Sequence, residues 1–336
     1  MGKRRVGKIK SMNIQEELTK IFGDRLKVNE PLGRYTTFKV GGPADFFFEA
    51  RNTDEFVLAV KTARANNIPL FILGGGTNLL IGDKGIRGFV VRNLASQITI
   101  KGMKGGQIGQ VRTGTVYVEA DSGVPINKLV RFSIEEGLAG LEMQLGLPGS
   151  VGGAVYMNSK WTHPEGYVGD AVYQVRLVTE SGEEKIVPHS YFRFAYDSSI
   201  IQQTGEIIIS VVFALSASDK DTLWATANES ISYRRASQPQ GVLSAGCTFK
   251  NLSKAEAMTA ATPDGTTSAG YLIDHAGLKG HTIGDAQISP VHANFIVNTG
   301  KATAADVVEL IEVARAKVKE QFGVTLVEEI IRVGEF

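Results

Sequence analysis

Gly74-Gly75-Gly76-Thr77-Asn78-Leu79-Leu80, directly after the apolar run Ile68–Leu73, decides how this chain is read. A strand ending in consecutive glycines lets the backbone take positive φ and come close to a ligand. Amides exposed in such a turn, with the Thr77 hydroxyl and the Asn78 amide beside them, suit a diphosphate. A second stretch, Gly146-Leu147-Pro148-Gly149-Ser150-Val151-Gly152-Gly153, offers the matching half of a cradle. Taken alone, each stretch is better explained as a tight turn in an α/β protein. Neither is a G-x-G-x-x-G fingerprint, because Leu79 stands where the third glycine would be, and neither is a G-x-x-x-x-G-K-[ST] loop. The phosphate reading therefore draws on the rest of the chain.

Composition narrows the classes. At 336 residues, 43% hydrophobic and 21% charged, the chain can bury a large core in two or three domains. A net charge of +1 argues against nucleic acid as a partner. The single cysteine, Cys247, rules out an internal disulfide and a multi-cysteine zinc site, and no metal is expected. The apolar runs fall short of a membrane span, so no membrane role is expected and the cytoplasm is the default address. Residues 1–12 carry Lys3, Arg4, Arg5, Lys8 and Lys10 with no apolar segment behind them; they read as a solvated, disordered leader.

From Asn13 onward the periodicity alternates between helix and strand. Asn13 and Glu16 resemble a capping box for a helix with Ile14, Leu18, Ile21 and Phe22 on one face. Tyr35–Asp45 reads as a strand broken by glycines, followed by Phe46-Phe47-Phe48. A helix is expected at about Thr53–Ala65, then the strand Ile68–Leu73 and another at Gly88–Val91. The middle is strand-rich: Ile98–Lys101, Thr115–Ala120, Val172–Thr179, Glu184–Val187 and Ile207–Leu215. One helix, around Ile126–Glu136, interrupts it. A boundary is placed near residue 220, where a helix carrying Leu223, Ala227 and Ile231 begins and runs to Arg234-Arg235. The last helix, Ala304–Gln321, is capped by Thr303 and Asp306 and stopped by Gly323.

In order, Thr36-Thr37-Phe38-x-Val40-Gly41-Gly42-x-Ala44-Asp45, the Gly74–Leu80 turn, Gly146–Asn158 and Gly246-Cys247-Thr248-Phe249-Lys250-Asn251 resemble the UDP-N-acetylenolpyruvoylglucosamine reductases. So do Ala269–Asp274, Gly277–Gly280 and His292-Ala293-Asn294-Phe295-Ile296-Val297-Asn298. The short interval between Ser198 and residue 222 resembles the family branch without an inserted tyrosine loop. The resemblance covers nearly everything from residue 30 to 334. It implies an α+β protein: a two-subdomain FAD-binding domain of the vanillyl-alcohol-oxidase-like type and a C-terminal α+β substrate-binding domain. In these terms residues 13–92 and 93–220 are the FAD-binding subdomains, 221–326 the UDP-sugar-binding domain, and 327–336 a terminal segment with a catalytic glutamate.

The resemblance further implies bound FAD, NADPH as reductant, a UDP-sugar substrate and a monomer working in peptidoglycan precursor synthesis. Cofactor contacts fall on Gly74, Gly75, Gly76, Thr77, Asn78, Leu79, Gly149, Ser150, Gly152 and Gly153. Cys247 holds the position of the family's proton-donating serine, and Glu329, in Leu326-Val327-Glu328-Glu329, that of its acidic residue. Asn251, His292 and Arg235, of the Arg234-Arg235 pair, fall near positions that hold the sugar nucleotide. Read without the family, a lone cysteine is more often inert packing. Glu329 is then one of several acids near the C-terminus, and His292 is equally a core histidine.

Two departures stand out. Where the family has Tyr-Arg-x-Ser, this chain has Tyr196-Asp197-Ser198-Ser199, and an aspartate repels a carboxylate. Arg193 and Arg235 are the candidates to supply the charge instead. The family's closing Glu-x-Arg reads Glu329-Ile330-Ile331-Arg332. On a strand that displacement turns the arginine to the other face. Two rivals stay open: a non-catalytic FAD or UDP-sugar-binding relative, and another oxidoreductase on the same flavin-binding architecture, such as an alcohol oxidase.

Overall fold

The computed structural model describes residues 14–108, 111–162 and 165–336, so the basic leader and the Asn13 cap lie outside the described residues. Runs of strands that pair mostly antiparallel, with helices between the runs, make this an α+β protein. The chain forms two compact units, each discontinuous in sequence: residues 14–30, 44–75 and 87–231, and residues 31–43, 76–86 and 232–336. Among the described residues no helix is long and apolar enough to cross a membrane.

The first unit holds two cores. Its smaller layer is a four-stranded sheet in the order Lys27–Pro31, Pro43–Ala50, Ile86–Asn93, Leu70–Leu73. Leu70–Leu73 runs parallel to Ile86–Asn93, and the helix Thr53–Ala65 connects Pro43–Ala50 to Leu70–Leu73. That helix starts where Asn52 accepts the Glu55 amide at 2.9 Å, and it buries Phe56, Ala59, Val60 and Ala63 against Phe46, Phe48 and Phe89. The larger layer is antiparallel, in the order Glu184–Pro188, Val172–Val178, Ile207–Ala217, Val111–Asp121, Ile98–Ile108. Its inward side chains, among them Val118, Val175, Val211 and Phe213, pack with the helix Ile126–Glu135. The helix Val151–Met157, opening inside the second glycine stretch, has no counterpart in the sequence reading. Its glycines hide the helical pattern, and its start is set by Ser150, which caps Gly153.

The second unit packs the helix Ala304–Phe322 and the helix Ala269–His275 on a four-stranded sheet ordered Leu243–Cys247, Phe295–Asn298, Ala286–Ile288, Thr282–Ile283. Phe38, Val40 and Leu80 complete its core, with Leu272, Ile311 and Val318. Asp83 accepts the amides of Ala304 and Ala305 at 2.8 and 3.0 Å, so the segment 76–86 anchors the start of the last helix. The strand expected over Tyr35–Asp45 is not formed as such. Leu32–Tyr35 is a 3-10 turn, Lys39 and Gly41 take positive φ, and the Thr36 hydroxyl donates to the Gly33 and Val40 carbonyls. A hydroxyl satisfying nearby carbonyls competes with extended pairing, so the strand begins only at Pro43.

Candidate functional site

The two glycine stretches meet within the first unit at Gly74 and Ser150. A Cβ on Gly74 would lie 2.4 Å from Ser150 Oγ, so only glycine fits with that hydroxyl in place. The Ser150 hydroxyl accepts from the Gly153 amide at 3.4 Å. The amides of Val151 and Gly152 turn inward, to the Val124 and Ser122 carbonyls, at 2.8 and 2.7 Å. Gly152 is a glycine for a packing reason, since a Cβ there would fall 2.9 Å from Ser122 Cβ. Gly149 has φ 112°, which favours glycine, and Gly75 is exposed. A close-approach surface of glycines with a capping hydroxyl fits the diphosphate of FAD.

The other end of the turn belongs to the second unit. Gly76 has φ +63°, and a Cβ there would meet the Tyr35 carbonyl at 2.4 Å. The Thr37 amide donates to the Gly76 carbonyl at 3.0 Å, and the Thr37 hydroxyl donates to the Ser244 carbonyl at 2.7 Å. This ties the turn to the strand that ends in Cys247. Asn78 Nδ2 donates to the Glu329 carbonyl at 3.1 Å, and Leu79–Ile81 pairs in parallel with Ile331–Val333.

Around Cys247 the second unit assembles most of the remaining candidates. Cys247 closes its strand opposite Phe295. The next residue, Thr248, receives the Glu329 amide on its carbonyl at 2.8 Å and gives its own amide to the Asn294 carbonyl at 2.7 Å. Asn294 clamps Phe249, accepting its amide at 2.9 Å and donating to its carbonyl at 2.8 Å. Cys247 and Glu329 are thus brought to adjoining backbone, each half-buried. Glu328 is spent elsewhere, held by Arg315 at 2.7 Å and by Arg332 Nε and Nη2 at 2.6 and 2.7 Å. That pairing accounts for the displaced arginine: Arg332 neutralises Glu328 and also reaches Glu312 at 3.3 Å.

His292 accepts the Asn294 amide on Nδ1 at 3.2 Å, which assigns the neutral tautomer with its proton on Nε2. Burial pushes its pKa below the usual value, and the charge on Lys279 adds to this. Gly270 lets the ring sit close, since a Cβ there would be 2.9 Å from His292 Cε1. Asn251 uses Oδ1 to accept the Ala269 amide at 3.1 Å, at the start of a helix. At the end of the helix Lys220–Ser237, Arg235 is exposed and Arg234 half-buried. Desolvation pushes the Arg234 pKa down to about 10, opposed by the negative charge that Cys247 can carry. Arg234 is within electrostatic range of Cys247.

In the first unit, Asp197 is buried at φ +48° in the turn Ala195–Ser198, and its carbonyl accepts from Gln202 at 3.2 Å. Arg193 is exposed and lines a surface pocket with Pro188, Ser190, Tyr191 and Ile200. The cation beside Tyr196 is Lys160, whose Nζ lies 5.2 Å from the ring centre and 3.4 Å from Glu165. Motif reading missed Lys160 and the Asn78 strap, and it singled out Arg235 from the Arg234-Arg235 pair where burial singles out Arg234. Each depends on a contact far along the chain, and the sequence carries no local signal for it.

Comparisons with known proteins give the family. Residues 44–187 match the FAD binding domain family, and residues 238–333 the C-terminal domain of UDP-N-acetylenolpyruvoylglucosamine reductase. The chain is 39% identical over 324 residues to the UDP-N-acetylenolpyruvoylglucosamine reductase of Desulfosudis oleivorans, covering 95% of this chain and 97% of that one. It is 36% identical over 323 residues to that of Lachnoclostridium phytofermentans, covering 96% and 97%. The crystal structure of the reductase from Thermus caldophilus matches with a TM-score of 0.71 at 32% identity, over 91% of this chain and 97% of that one. The chain therefore belongs to the UDP-N-acetylenolpyruvoylglucosamine reductase family.

Proposed function

We propose that this protein reduces the enolpyruvyl ether of UDP-N-acetylglucosamine to UDP-N-acetylmuramate, with FAD bound and NADPH as reductant, in peptidoglycan precursor synthesis. The observation that carries the proposal is the bond from the Glu329 amide to the Thr248 carbonyl, which sets two proton-handling groups, Cys247 and Glu329, on adjoining backbone in a chain of this family. Gly74, Gly75, Gly76, Thr77, Asn78, Leu79, Gly149, Ser150, Gly152 and Gly153 form the FAD-contacting set, with the Gly74–Ser150 approach at its centre. Bound FAD supplies hydride to the vinyl terminus of the substrate.

The protein's own residues then deal with the charge left beside the substrate carboxylate. The Cys247 thiol gives its proton to that carbon: the S–H bond breaks, a C–H bond forms, and a thiolate remains. Its unperturbed pKa of about 8.5 keeps the thiol protonated at neutral pH. Arg234 stays charged at neutral pH and stabilises the thiolate until solvent restores the proton. Glu329 helps to hold or deliver a proton to the developing enolate. His292, neutral with an Nε2 proton, and Asn251 orient the UDP-sugar, with positive charge from Arg234 and Arg235 at the helix end. Residues 13–92 and 93–220 serve FAD, 221–326 the UDP-sugar, and the segment 327–336 presents Glu329. The working form is a cytoplasmic monomer.

The test is optical. The purified protein should be yellow, lose its colour with NADPH in the absence of air, and regain it when the enolpyruvyl sugar nucleotide is added. Recovery with oxygen but not with the sugar nucleotide would place it among oxidases on the same fold. A flavin that NADPH cannot bleach would make the protein a non-catalytic relative.

A further inference from the structure

The segment that follows the first glycine turn is bonded along its length to the C-terminal strand. Leu79, Leu80 and Ile81 pair in parallel with Ile331, Arg332 and Val333. One residue before this ladder, the Ile331 amide donates to the Asn78 carbonyl at 2.9 Å. The next rung is made by a side chain: Asn78 Nδ2 donates to the Glu329 carbonyl at 3.1 Å. On its other side, Glu329 gives its amide to the Thr248 carbonyl at 2.8 Å. Both peptide groups flanking the Glu329 Cα are therefore held, one by the residue after Cys247 and one by Asn78. With the backbone fixed at both ends, only the side-chain torsions of Glu329 remain to aim its carboxyl.

Asn78 is itself held. The Gly76 carbonyl, two residues earlier, accepts the Thr37 amide at 3.0 Å, and the Thr37 hydroxyl donates to Ser244, three residues before Cys247. The turn, the strand bearing Cys247 and the segment bearing Glu329 thus share one hydrogen-bonded frame. We propose that Asn78 is a positioning residue: its side-chain amide sets the orientation of Glu329 and ties that carboxyl to the glycine turn. The Asn78 side chain thus serves the proton-handling end of the site. This inference rests on the reading of Glu329 given above.

The test compares Asn78→Ala, Asn78→Asp, Glu329→Gln and Asn78→Ala/Glu329→Gln. Asn78→Asp keeps the shape, removes the donor and sets an oxygen against the Glu329 carbonyl. Each variant is assayed for FAD content, for bleaching by NADPH, and for reoxidation on rapid anaerobic mixing with the enolpyruvyl sugar nucleotide. Compared on the FAD-bound fraction, bleaching should slow far less than reoxidation in both single Asn78 variants. Reoxidation should slow by roughly 10- to 100-fold, because a misplacement of about 1 Å at a reacting group costs on that order. In the Glu329→Gln background, Asn78→Ala should add less than about twofold, since the group it positions is gone.

Wild-type reoxidation in Glu329→Gln would overturn the reading of Glu329 and this inference with it. A slow Glu329→Gln combined with a wild-type rate in Asn78→Ala, or with the same loss in both backgrounds, would overturn the inference alone. Bleaching slowed as much as reoxidation in both Asn78 variants would assign the side chain to the cofactor instead, and would also overturn it.

Discussion

Replacing Gly74 by alanine tests whether the meeting of the two glycine stretches is the FAD cradle. The new Cβ would sit 2.4 Å from Ser150 Oγ but 3.5 Å from Ser150 Cβ. The first distance is about 1 Å too short for contact, while the second is ordinary packing. The hydroxyl must therefore move, and in moving it gives up the Gly153 amide that it caps at 3.4 Å. Loss of a serine N-cap costs about 1 kcal/mol, within a range of about 0.5–2. Exchange of glycine for alanine at a permitted φ restores about 0.4–1 kcal/mol through the unfolded chain, so melting temperature alone is an ambiguous measure. FAD affinity is the cleaner readout, because the glycine effect on the unfolded chain does not enter it. At 1.4 kcal/mol per tenfold, a cradle strained by this amount should bind FAD about 2- to 30-fold more weakly. Titration of flavin-stripped protein, followed by quenching of FAD fluorescence, measures it. In a Ser150→Ala background the clash is absent, so Gly74→Ala should change affinity by less than about twofold. Wild-type affinity in Gly74→Ala, or the same loss with and without the Ser150 hydroxyl, would refute the cradle.

Three further outcomes are expected. Cys247→Ala should slow reoxidation of the reduced enzyme by the sugar nucleotide by roughly 10²–10⁴-fold, the usual cost of a lost general acid, while Cys247→Ser keeps substantial activity. Bleaching by NADPH should be unchanged in both, and a wild-type alanine variant on rapid mixing would remove Cys247 from the mechanism. Arg234→Gln should impair steady-state turnover of the sugar nucleotide by about tenfold or more, whereas Arg235→Gln, at an exposed position, should stay within about threefold; the reverse order would overturn the placement of Arg234 beside Cys247. His292 is held below its usual pKa in the fold, so the unfolded chain binds its proton more readily. Its share of stability is present above about pH 6.5 and is lost as pH falls through the lower folded value. Wild type should accordingly lose more melting temperature between pH 7.5 and 5.5 than His292→Gln does, and an equal loss would contradict the burial of a neutral ring.

Elements whose ends are written in adjacent residues were legible without a structure. The helix Ala304–Phe322 begins at the reciprocal pair Thr303 and Asp306, because a cap is a bond between residues three apart, and Thr53–Ala65 showed in its helical apolar spacing. The hairpin strands Val172–Val178 and Glu184–Pro188 follow from a short turn for the same reason. Cys247, Asn251, His292 and Glu329 were also legible as candidates, since each lies in a contiguous motif of the family.

What the tertiary structure decided are matters of partnership over long separations. Tyr35–Asp45 looks extended by residue type, yet the Thr36 hydroxyl and two positive-φ residues make it a turn whose Phe38 and Val40 enter the core of the second unit. Glu328 and Glu329 are indistinguishable as neighbours in sequence. Arg315, from the last helix, and Arg332 claim the first, while Thr248 and Asn78 hold the backbone of the second. Gly152 reads as part of a ligand loop, and only the fold shows that Ser122, lying against it, also requires a glycine there. Arg234 and Arg235 separate only when the helix end is placed and one guanidinium loses its water. Propensity, periodicity and capping act within a few residues, so the sequence displays them directly. Burial, ion pairing and shared hydrogen bonds depend on which distant segments the fold brings together.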